Sequence, residues 1–484
     1  MIHIKDVRWT YSGADAPTLD DLTLHVRRGE TVVLCGPSGS GKSTVLRLMN
    51  GLIPHFHDGR LEGTVHLDGQ AVTDLPLDRL GRRTGTVLQH PRRQFFTDST
   101  ETELAFAMEN FGEPPARIRE RVTTTIDDHG LSGFAGLRLQ ELSGGQQQQV
   151  ACAAAATHHP PLLLFDEPTS NLSAAAIERF TAMLTRLRAD GATIVIAEHR
   201  LHFLRGLADR VIAMREGRIH AQWSGEQFAA LDDDTLRAEG LRSLTPPPRP
   251  QPVRAHALGP SIDHDTTPAA ASETGLTLRG IRCAFHGRRV LDIEEAYLPA
   301  GAVTAITGPN GAGKSTLARL LTGLQRHNGE ILLDGRRLTR TQRQRAGAIV
   351  MQDVQRQLFT DSVEAELRLG APRDTEHEQR SHVLLRNLDL EPLRDRHPLS
   401  LSGGQQQRLV VAAARLSGRR IVVFDEPSSG VDRRHLRSIS QTVRDLAAGG
   451  AVVVLITHDD ELLAHTADQE LRLRPIVSLT SNER

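Results

Sequence analysis

The chain has 484 residues, enough for about three domains, and its 39% hydrophobic and 24% charged residues are typical of a folded globular protein. The formal net charge of −1 shows no basic excess, which argues against a nucleic-acid-binding surface. The three cysteines, at positions 35, 152 and 283, are too scattered for a disulfide framework and indicate a reducing compartment.

The sequence gives no sign of a membrane segment. Its first residues lack the apolar core of a secretory signal peptide. No apolar run approaches the ~18 residues that a membrane-spanning helix needs. We therefore expect no transmembrane segment, and we expect any role at a membrane to depend on a partner.

The first predicted elements are two β-strands, over residues 2–11 and 31–35, followed by a glycine-rich loop. The loop, Gly36-Pro-Ser-Gly-Ser-Gly-Lys-Ser-Thr44, fits the pattern G-x-x-x-x-G-K-[ST], and a helix is predicted over residues 45–52. In this setting the glycines let backbone N–H groups turn around phosphate oxygens, and the helix N-terminus adds its positive end. Lys42 would supply a fixed cation, and the Ser43 hydroxyl would bind a magnesium ion that bridges the phosphates. The loop therefore predicts a nucleotide-binding site.

Further features follow in the first half, each at the end of a predicted strand or in a predicted helical region. In chain order they are Gln89 at the end of Thr84-Gly-Thr-Val-Leu-Gln89, a helical region over residues 98–135, the segment Leu142-Ser-Gly-Gly-Gln-Gln-Gln-Gln-Val150, the pair Asp166-Glu167 after the apolar strand 162–165, and His199 at the end of Thr193-Ile-Val-Ile-Ala-Glu-His199. We call the segment 142–150, and its copy in the second half, the signature motif.

The second half repeats these features in the same order. It contains the loop Gly308-Pro-Asn-Gly-Ala-Gly-Lys-Ser-Thr316 between a predicted strand (303–307) and a predicted helix (317–324), then Gln352, the signature motif Leu401-Ser-Gly-Gly-Gln-Gln-Gln-Arg-Leu409, the pair Asp425-Glu426, and His458. The block from the signature motif to the histidine has the same length in both halves. A solenoid would need three or more short repeats, so two long copies indicate tandem domains.

A segment of unusual composition lies between the copies. Residues 244–274 contain Pro246-Pro-Pro-Arg-Pro-Gln-Pro252 and then a run of Ala, Ser, Thr, Asp and Gly. Such a composition cannot bury a core and is typical of a semi-extended linker, although a proline-rich stretch can also be a docking ligand. We therefore predict a first domain over residues 1–243, a linker over 244–275 and a second domain over 276–484.

These motifs, in this order and present twice, resemble those of the ATP-binding cassette (ABC) ATPases over nearly all of the chain apart from the linker. The Leu-Ser-Gly-Gly-Gln sequence is the strongest of the single motifs. The resemblance implies an α/β fold with two tandem P-loop NTPase domains, each with a helical subdomain, joined by the Pro-rich linker. It also implies a head-to-tail sandwich in which each ATP lies between the phosphate loop of one copy and the signature motif of the other.

Acidic, histidine and glutamine residues carry the expected catalytic chemistry at each site. An aspartate at the end of a strand can hold magnesium, and the glutamate that follows it can polarise the attacking water as general base. The histidine can donate to the γ-phosphate and sense its loss, and the glutamine can reach the metal or the water. The expected catalytic residues are Glu167, His199 and Gln89 in the first copy, and Glu426, His458 and Gln352 in the second. The expected magnesium ligands are Ser43, Gln89 and Asp166, and Ser315, Gln352 and Asp425.

The expected ATP contacts combine the phosphate loop, the signature motif and one aromatic residue of each copy. The signature motif opens a helix, so its serine and its glycine amides present donors and the positive end of the helix dipole to a γ-phosphate. Tyr11 and Phe285 match the family residue that stacks on adenine, and a buried core aromatic is the alternative. In the first copy the contacts are Tyr11, Gly36, Pro37, Ser38, Gly39, Ser40, Gly41, Lys42, Ser43, Thr44, Ser143, Gly144, Gly145 and Gln146. In the second copy they are Phe285, Gly308, Pro309, Asn310, Gly311, Ala312, Gly313, Lys314, Ser315, Thr316, Ser402, Gly403, Gly404 and Gln405.

Two classes of function are open for such a tandem ATPase. In the first, the chain is the motor of an ABC importer whose membrane subunits are separate chains. In the second, it is a soluble tandem ATPase that acts on ribosomes or nucleic acid. The second class usually carries a long charged linker helix, a coiled-coil insertion, a cysteine-rich cluster or a basic tail, and the sequence has none of these. A fused ATPase for sugar or peptide import is a closer alternative. However, fused sugar-import ATPases tend to have one eroded phosphate loop, whereas both loops of this chain are intact.

The segments after Gln89 and Gln352 resemble those of energy-coupling factor importers, which take up vitamins or transition-metal ions. An acidic helix of the form Glu-Leu-Ala-Phe-x-x-Glu-Asn is typical there. The first copy, Glu103-Leu-Ala-Phe-Ala-Met-Glu-Asn110, fits it well, and the second, Glu366-Leu-Arg-Leu-Gly370, fits it more loosely. The resemblance implies integral membrane partners, namely a coupling membrane protein and a substrate-binding membrane protein, no nucleic acid, and a peripheral position on the cytoplasmic side of the cell membrane. The cargo cannot be read from an ATPase sequence.

The two copies differ at two positions of the family pattern. The loop after the glutamate ends in Asp432 in the second copy but in Ser173 in the first, and the signature motif has Arg408 in the second copy but Gln149 in the first. In the implied sandwich, the second copy lends the usual residues to the site built on Lys42. We therefore predict that this site turns over faster than the other, with harmless drift as the alternative.

Overall fold

A computed structural model describes residues 1–89, 94–170, 172–245, 253–254, 257–262, 274–285, 288–351, 354–370, 374–428 and 430–476. The chain divides into two compact units, Met1–Thr245 and Pro246–Arg484. Each unit contains a six-stranded, mostly parallel sheet and a smaller antiparallel sheet, together with helices. The predicted α/β fold with two copies is therefore confirmed. Within the described residues, none of the helices combines the length and the apolar character that a bilayer crossing requires.

The first unit has ten strands and nine helices among its described residues. Its strands are β1 (Ile2–Tyr11), β2 (Leu19–Val26), β3 (Thr31–Cys35), β4 (Gly59–Leu67), β5 (Gln70–Ala71), β6 (Thr84–Val87), β7 (Leu162–Asp166), β8 (Thr193–Ala197), β9 (Arg210–Arg215) and β10 (Arg218–Ser224). Its helices are α1 (Lys42–Met49), α2 (Leu52–His55), α3 (Leu77–Arg83), α4 (Thr100–Asn110), α5 (Pro115–Asp128), α6 (Gly144–Thr157), α7 (Ala174–Ala189), α8 (Gly225–Ala229) and α9 (Asp233–Ala238). The sheet orders are β2-β1-β4-β5 and β10-β9-β3-β8-β7-β6.

The second unit repeats this architecture within its described residues. Its strands are β11 (Val253–Arg254), β12 (Ala257–Leu258), β13 (Gly275–Phe285), β14 (Arg288–Pro299), β15 (Val303–Thr307), β16 (Asn328–Leu333), β17 (Arg336–Arg337), β18 (Gly347–Val350), β19 (Ile421–Asp425), β20 (Val452–Ile456) and β21 (Gln469–Arg472). Its helices are α10 (Lys314–Leu321), α11 (Arg340–Ala346), α12 (Val363–Leu367), α13 (Thr375–Asn387), α14 (Gly403–Leu416), α15 (Arg433–Ala448) and α16 (Asp460–Thr466). The sheet orders are β12-β14-β13-β16-β17 and β11-β21-β15-β20-β19-β18.

The central parallel strands form the core of each unit. In β3 and β8, and in β20 of the second unit, every residue is buried. Their sequences are nearly continuous runs of Val, Ile and Leu, as expected for parallel strands that are covered on both faces. This burial holds the central strands in place. The functional motifs lie immediately after the carboxyl ends of these strands in the sequence.

The helices after the phosphate loops begin earlier than the sequence predicts. The predicted helix 45–52 is α1, which begins at Lys42 and ends at Met49. Gly41 has a φ of 99°, and this left-handed residue turns the loop straight into the helix, so the lysine becomes the first helical residue. α10 begins at Lys314 in the same way.

The predicted helical region 98–135 contains α4 and α5. The Ser99 hydroxyl caps α4 by accepting from the backbone N–H of Thr102 (3.4 Å). α4 packs against α6 through Leu104 and Ala153, and α5 adds the partly buried Val122 and Ile126 to the same cluster. The helix that carries the signature motif is therefore braced by the helical subdomain.

Part of the predicted linker forms strands in the second unit. β11 pairs in parallel with β21, and β12 pairs antiparallel with β14. Ser261 extends this attachment, because its hydroxyl accepts from the backbone N–H of Asp292 (2.8 Å) and its carbonyl accepts from that of Arg474 (2.9 Å). The side chain of Ile262 is buried. Residues 253–254 and 257–258 thus add to the two sheets, which composition did not indicate because main-chain pairing needs few apolar side chains.

Ile262→Ala is expected to destabilise the second unit by about 2–5 kcal/mol, since it leaves a cavity at a residue that is 1% exposed. Both tryptophans, Trp9 and Trp223, lie in the first unit, so urea unfolding followed by tryptophan fluorescence reports that unit alone, whereas circular dichroism reports both. Only the circular dichroism transition should shift. The control is Leu258→Ala, at a 44% exposed position of the same segment. Equal shifts for the two variants would contradict the prediction.

Candidate active site

The predicted site residues collect at one edge of each parallel sheet. In the first unit the neighbouring strands β3, β8, β7 and β6 are parallel, so their carboxyl ends share one edge. The phosphate loop, His199, the pair Asp166-Glu167 and Gln89 follow these strands in that order. Ligands of open α/β sheets bind at this edge. In the second unit, β15, β20 and β19 place the phosphate loop, His458 and Asp425-Glu426 in the same way, and Gln352 lies outside the described residues.

The phosphate loops 36–44 and 308–316 join these strands to α1 and α10, and the first glycine of each has no room for a side chain. Gly36 has a φ of 131°, and a Cβ at this position would lie 2.2 Å from the carbonyl oxygen of Met214. Gly308 has a φ of 132°, and its Cβ would lie 2.1 Å from the carbonyl oxygen of Leu473. Each loop therefore packs its backbone directly on a neighbouring segment, which keeps it in the curved path of a phosphate cradle.

The lysine of each phosphate loop is buried and bonded to the loop itself. Lys42 Nζ donates to the carbonyl oxygens of Gly36 (3.0 Å) and Pro37 (2.9 Å). Lys314 Nζ donates to the corresponding two carbonyls at 2.7 and 3.1 Å. Burial lowers the pKa of Lys314, and the two carboxylates at the end of β19 oppose this change. An ammonium held inside the loop is in position to bind phosphate oxygens.

The residues predicted to bind magnesium fit that ion. Ser43 Oγ donates to Asp166 Oδ1 (2.8 Å), and Ser315 is hydrogen-bonded to Asp425. Burial, with the adjacent charge of Glu167, raises the pKa of Asp166 to about 6, and burial also raises the pKa of Asp425. A nearby cation would stabilise such carboxylates as anions. Hydroxyl and carboxylate oxygens are the donors that Mg²⁺ prefers.

The predicted catalytic residues of the first unit meet at Glu167. Gln89 Nε2 donates to Glu167 Oε2 (2.6 Å), and His199 Nε2 lies 3.4 Å from Oε1. The predicted role of Gln89 as a metal ligand stays a prediction, because its amide contacts the glutamate here. Glu167 has a φ of 47°, a left-handed conformation that costs energy in a residue with a side chain. Its backbone N–H donates to the carbonyl oxygen of Ala197 (2.8 Å) and so fixes the residue beside β8.

The glutamate of the second unit is held in part by the segment that carries its histidine. Glu426 Oε2 accepts from the hydroxyl of Thr457 (3.1 Å) and from the backbone N–H of His458 (3.2 Å). The His458 Nε2 atom lies 3.8 Å from Glu426 Oε1. Glu426 also has a positive φ, 55°. The two glutamates therefore share a backbone conformation but differ in the groups that hold their side chains.

Each signature motif forms the N-terminus of a helix, as predicted. Ser143 caps α6, since its Oγ accepts from the backbone N–H of Gln146 (3.4 Å), whose Oε1 accepts from the N–H of Ser143 (2.9 Å). Ser402 and Gln405 form the same reciprocal pair at the start of α14. Two glycines occupy the first helical positions in both copies, so their N–H groups lie at the positive end of the helix.

The aromatic residues predicted to stack on adenine are not fully buried. The Tyr11 hydroxyl accepts from Arg47 Nη1 (2.9 Å) and lies 3.3 Å from Thr44 Oγ1, so it is tied to α1. Its ring contacts Trp9 edge-on, at 5.4 Å between centroids. Phe285, which has no hydroxyl, is exposed. The core alternative therefore does not hold for Phe285, and stacking on adenine remains a prediction for both.

An exposed phenylalanine lies beside a buried glutamate in both units. Phe96 is 73% exposed and Phe359 is 76% exposed. Glu103 Oε2 accepts from the N–H of Phe96 (3.1 Å) and from the N–H (3.0 Å) and hydroxyl (2.9 Å) of the next residue, Thr97. Glu366 Oε2 makes the same three contacts in the second unit, at 2.8, 2.8 and 2.9 Å. A carboxylate with three donors fixes each turn with its aromatic ring exposed to solvent.

The two positions that differ between the copies lie in contrasting surroundings. Asp432 caps α15 and lies 2.8 Å from His435 Nδ1, and its charge opposes the lowering of the Arg408 pKa by burial. In the first unit Ser173 caps α7, and Gln149 lines a cavity of about 20 Å³, enough for one water molecule. The charged residues Asp432 and Arg408 of the second unit thus correspond to the neutral Ser173 and Gln149 of the first, and a small cavity lies beside Gln149.

Sequence reasoning missed several residues that contact the catalytic groups. Thr457 binds Glu426, and Glu198 and Arg200 bind the loop that follows Glu167. The sequence does contain a sign that these positions matter, because the residues that flank the histidine differ between the copies. They are Glu198 and Arg200 in the first copy and Thr457 and Asp459 in the second.

Asp166→Asn is expected to stabilise the first unit at pH 8 in EDTA. The pKa of about 6 in the folded state exceeds the ~3.9 of an unfolded chain, so ionisation costs up to about 3 kcal/mol of stability above pH 6. The cost shrinks as the pH falls from 6 toward 4, where the carboxyl is protonated in the folded state and about half protonated in the unfolded chain. Urea unfolding followed by tryptophan fluorescence should therefore show a gain at pH 8 that is mostly lost near pH 4. Exposed Asp15→Asn is the control, and a less stable Asp166→Asn variant at pH 8 would contradict the prediction.

Comparison with known proteins identifies the family of the chain. The profile of the ABC transporter family matches residues 19–170 and 292–429. A protein of Treponema denticola assigned as an ABC transporter ATP-binding protein is 38% identical over 96% of this chain and 93% of its own length. A Bacillus subtilis protein assigned as an HMP/thiamine import ATP-binding protein is 29% identical over 98% of this chain and 90% of its own. The solved structure of an RNase-L inhibitor shares the fold, with a TM-score of 0.62, 22% identity and coverage of 97% and 90% of the two chains. The chain therefore belongs to the ABC transporter family, as a tandem ATP-binding subunit with ATPase activity.

Proposed function

We propose that the chain is the ATP-hydrolysing motor of an ABC importer of the energy-coupling factor type, working with separate membrane subunits in the uptake of a vitamin or a transition-metal ion. In this proposal it lies on the cytoplasmic face of the cell membrane, with ATPase domains over residues 1–243 and 276–484. The contact of Gln89 and His199 with Glu167 carries the catalytic part of the proposal. The similarity to a thiamine-import protein supports the importer part.

The residues of the first unit have clear parts in hydrolysis. The phosphate loop with Lys42 binds and orients the triphosphate, and Ser43 with Asp166 would hold Mg²⁺. The ion neutralises phosphate charge when bound. Glu167 then accepts a proton from the attacking water, and the nearby imidazole of His199 orients this carboxylate and can donate to the γ-phosphate. We propose that each nucleotide also contacts the signature motif of the other copy.

Ribosome or nucleic-acid action is less well supported. The similarity to the RNase-L inhibitor is at 22% identity and concerns the fold alone. The net charge of −1 provides no basic excess for phosphate backbones. By contrast, the exposed rings of Phe96 and Phe359 offer an apolar contact for a helix of a membrane subunit, and both are held rigidly by a buried glutamate.

Changing both Phe96 and Phe359 to Ala is expected to release the membrane partners. It should leave the ATPase rate of the isolated chain unchanged, because both rings are exposed and their turns are held by Glu103 and Glu366, which are not among the predicted ATP-site residues. The measurement is co-purification from detergent-solubilised membranes. Phe56→Ala is the matched control, since Phe56 is 71% exposed but lies elsewhere on the first unit. Recovery of the wild-type chain without partners, or full partner recovery with the double variant, would refute the docking surface.

The two sites are expected to contribute unequally to turnover. Glu167→Gln should abolish nearly all ATPase activity, since loss of a general base typically costs about 10²–10⁴-fold. Glu426→Gln should leave a measurable part, because in the proposed sandwich the Lys42 site receives the loop that contains Asp432 and the signature motif that contains Arg408. Steady-state ATPase rates of the two variants decide the matter. Equal losses, or a larger loss for Glu426→Gln, would show that the sequence differences are drift.

A further inference from the structure

The residues on either side of His199 hold the loop that follows Glu167. Glu198 is buried, and its Oε2 accepts from the backbone N–H (3.2 Å) and the hydroxyl (2.8 Å) of Thr169. Its Oε1 accepts from the backbone N–H groups of His199 (2.8 Å) and Arg200 (3.1 Å). One carboxylate thus joins the segment that carries the histidine to the loop that carries the general base.

Arg200 makes a second connection between the same two segments. Its side chain is buried, and Nη1 donates to the carbonyl oxygens of Thr169 (3.2 Å) and Leu172 (3.4 Å). Hydrogen bonds from a charged donor are stronger than those between neutral groups. The guanidinium therefore holds Thr169 and Leu172, which follow Glu167, against the end of β8.

The second unit uses these positions differently. Thr457 stands in the place of Glu198, and its hydroxyl donates directly to Glu426 (3.1 Å). Asp459 stands in the place of Arg200 and caps α16, where its Oδ1 accepts from the backbone N–H groups of Glu461 (3.2 Å) and Leu462 (3.3 Å). The buried pair of Glu198 and Arg200 is therefore a feature of the first copy. The two positions are also ones at which the sequences of the two copies differ.

We propose that Arg200, acting with Glu198, is a positioning residue for ATP hydrolysis in the first unit. Glu167 needs such support, because its left-handed backbone persists only where the surroundings hold it. By tying Thr169 and Leu172 to the histidine segment, the pair fixes the carboxylate of Glu167 relative to the imidazole of His199. This inference rests on hydrolysis at the Lys42 site and does not depend on transport.

The test uses the full chain carrying Glu426→Gln, in which the Lys42 site supplies the turnover. Adding Arg200→Met is expected to lower kcat about 10–100-fold, as small misplacements of catalytic groups do. The KM for ATP should stay within about twofold, because the contacts of the phosphate loop are unchanged. Arg200→Lys keeps a cation that can reach one carbonyl and should recover part of kcat. The control is Arg205→Met, which removes an arginine that donates to the carbonyl oxygen of Ala229 (3.0 Å).

A kcat that is unchanged in folded Arg200→Met, or that falls equally in Arg205→Met, would overturn the inference. If tryptophan fluorescence shows that Arg200→Met does not fold, Arg200→Lys decides: a reduced kcat at constant KM supports the positioning role, and a kcat equal to that of the parent overturns it. A parent with no turnover would overturn both this inference and the proposed hydrolysis at the Lys42 site. An active parent that is insensitive to Arg200 would overturn the positioning role alone.

Discussion

Two adjacent carboxylates at the end of one buried strand are the constraint on which each site depends. Burial and the neighbouring charge of Glu167 raise the pKa of Asp166 to about 6, so the pair is unfavourable as two anions without a compensating cation. Neighbouring groups supply a positive charge and hydrogen-bond donors to the two carboxylates. Lys42 is held nearby inside the phosphate loop, Ser43 donates to Asp166, and Gln89 donates to Glu167. This arrangement fits the proposed binding of magnesium and phosphate at the site.

The sequence predicted these groups well because local patterns determine them. A glycine-rich loop between a strand and a helix leaves few conformations, and β3 and α1 were found where that pattern placed them, with a shift at the start of the helix. The strands β11 and β12 were missed because main-chain pairing leaves little trace in composition. The contacts of Glu103 and Arg200 were missed because they join segments whose proximity only the fold creates.

The two copies keep the same catalytic groups but differ in what supports them. In the first unit the loop after the glutamate is held from the histidine side, by Glu198 and Arg200. In the second, Asp432 at the end of this loop lies beside His435, and its charge acts on Arg408 of the signature helix. A buried charge needs a partner. Removing one charged residue of either arrangement would therefore leave its partner buried without compensation. The two copies thus share the predicted catalytic residues, whereas the residues that support them differ.

The chain is proposed to hold two complete ATP sites, each with its own general base. The most direct measurement is the number of ATP molecules bound per chain by the double variant Glu167→Gln, Glu426→Gln in the presence of Mg²⁺, measured by equilibrium dialysis alongside phosphate release. The expected result is two molecules of ATP bound per chain and no detectable turnover. A single bound ATP, or turnover that persists in the double variant, would contradict it.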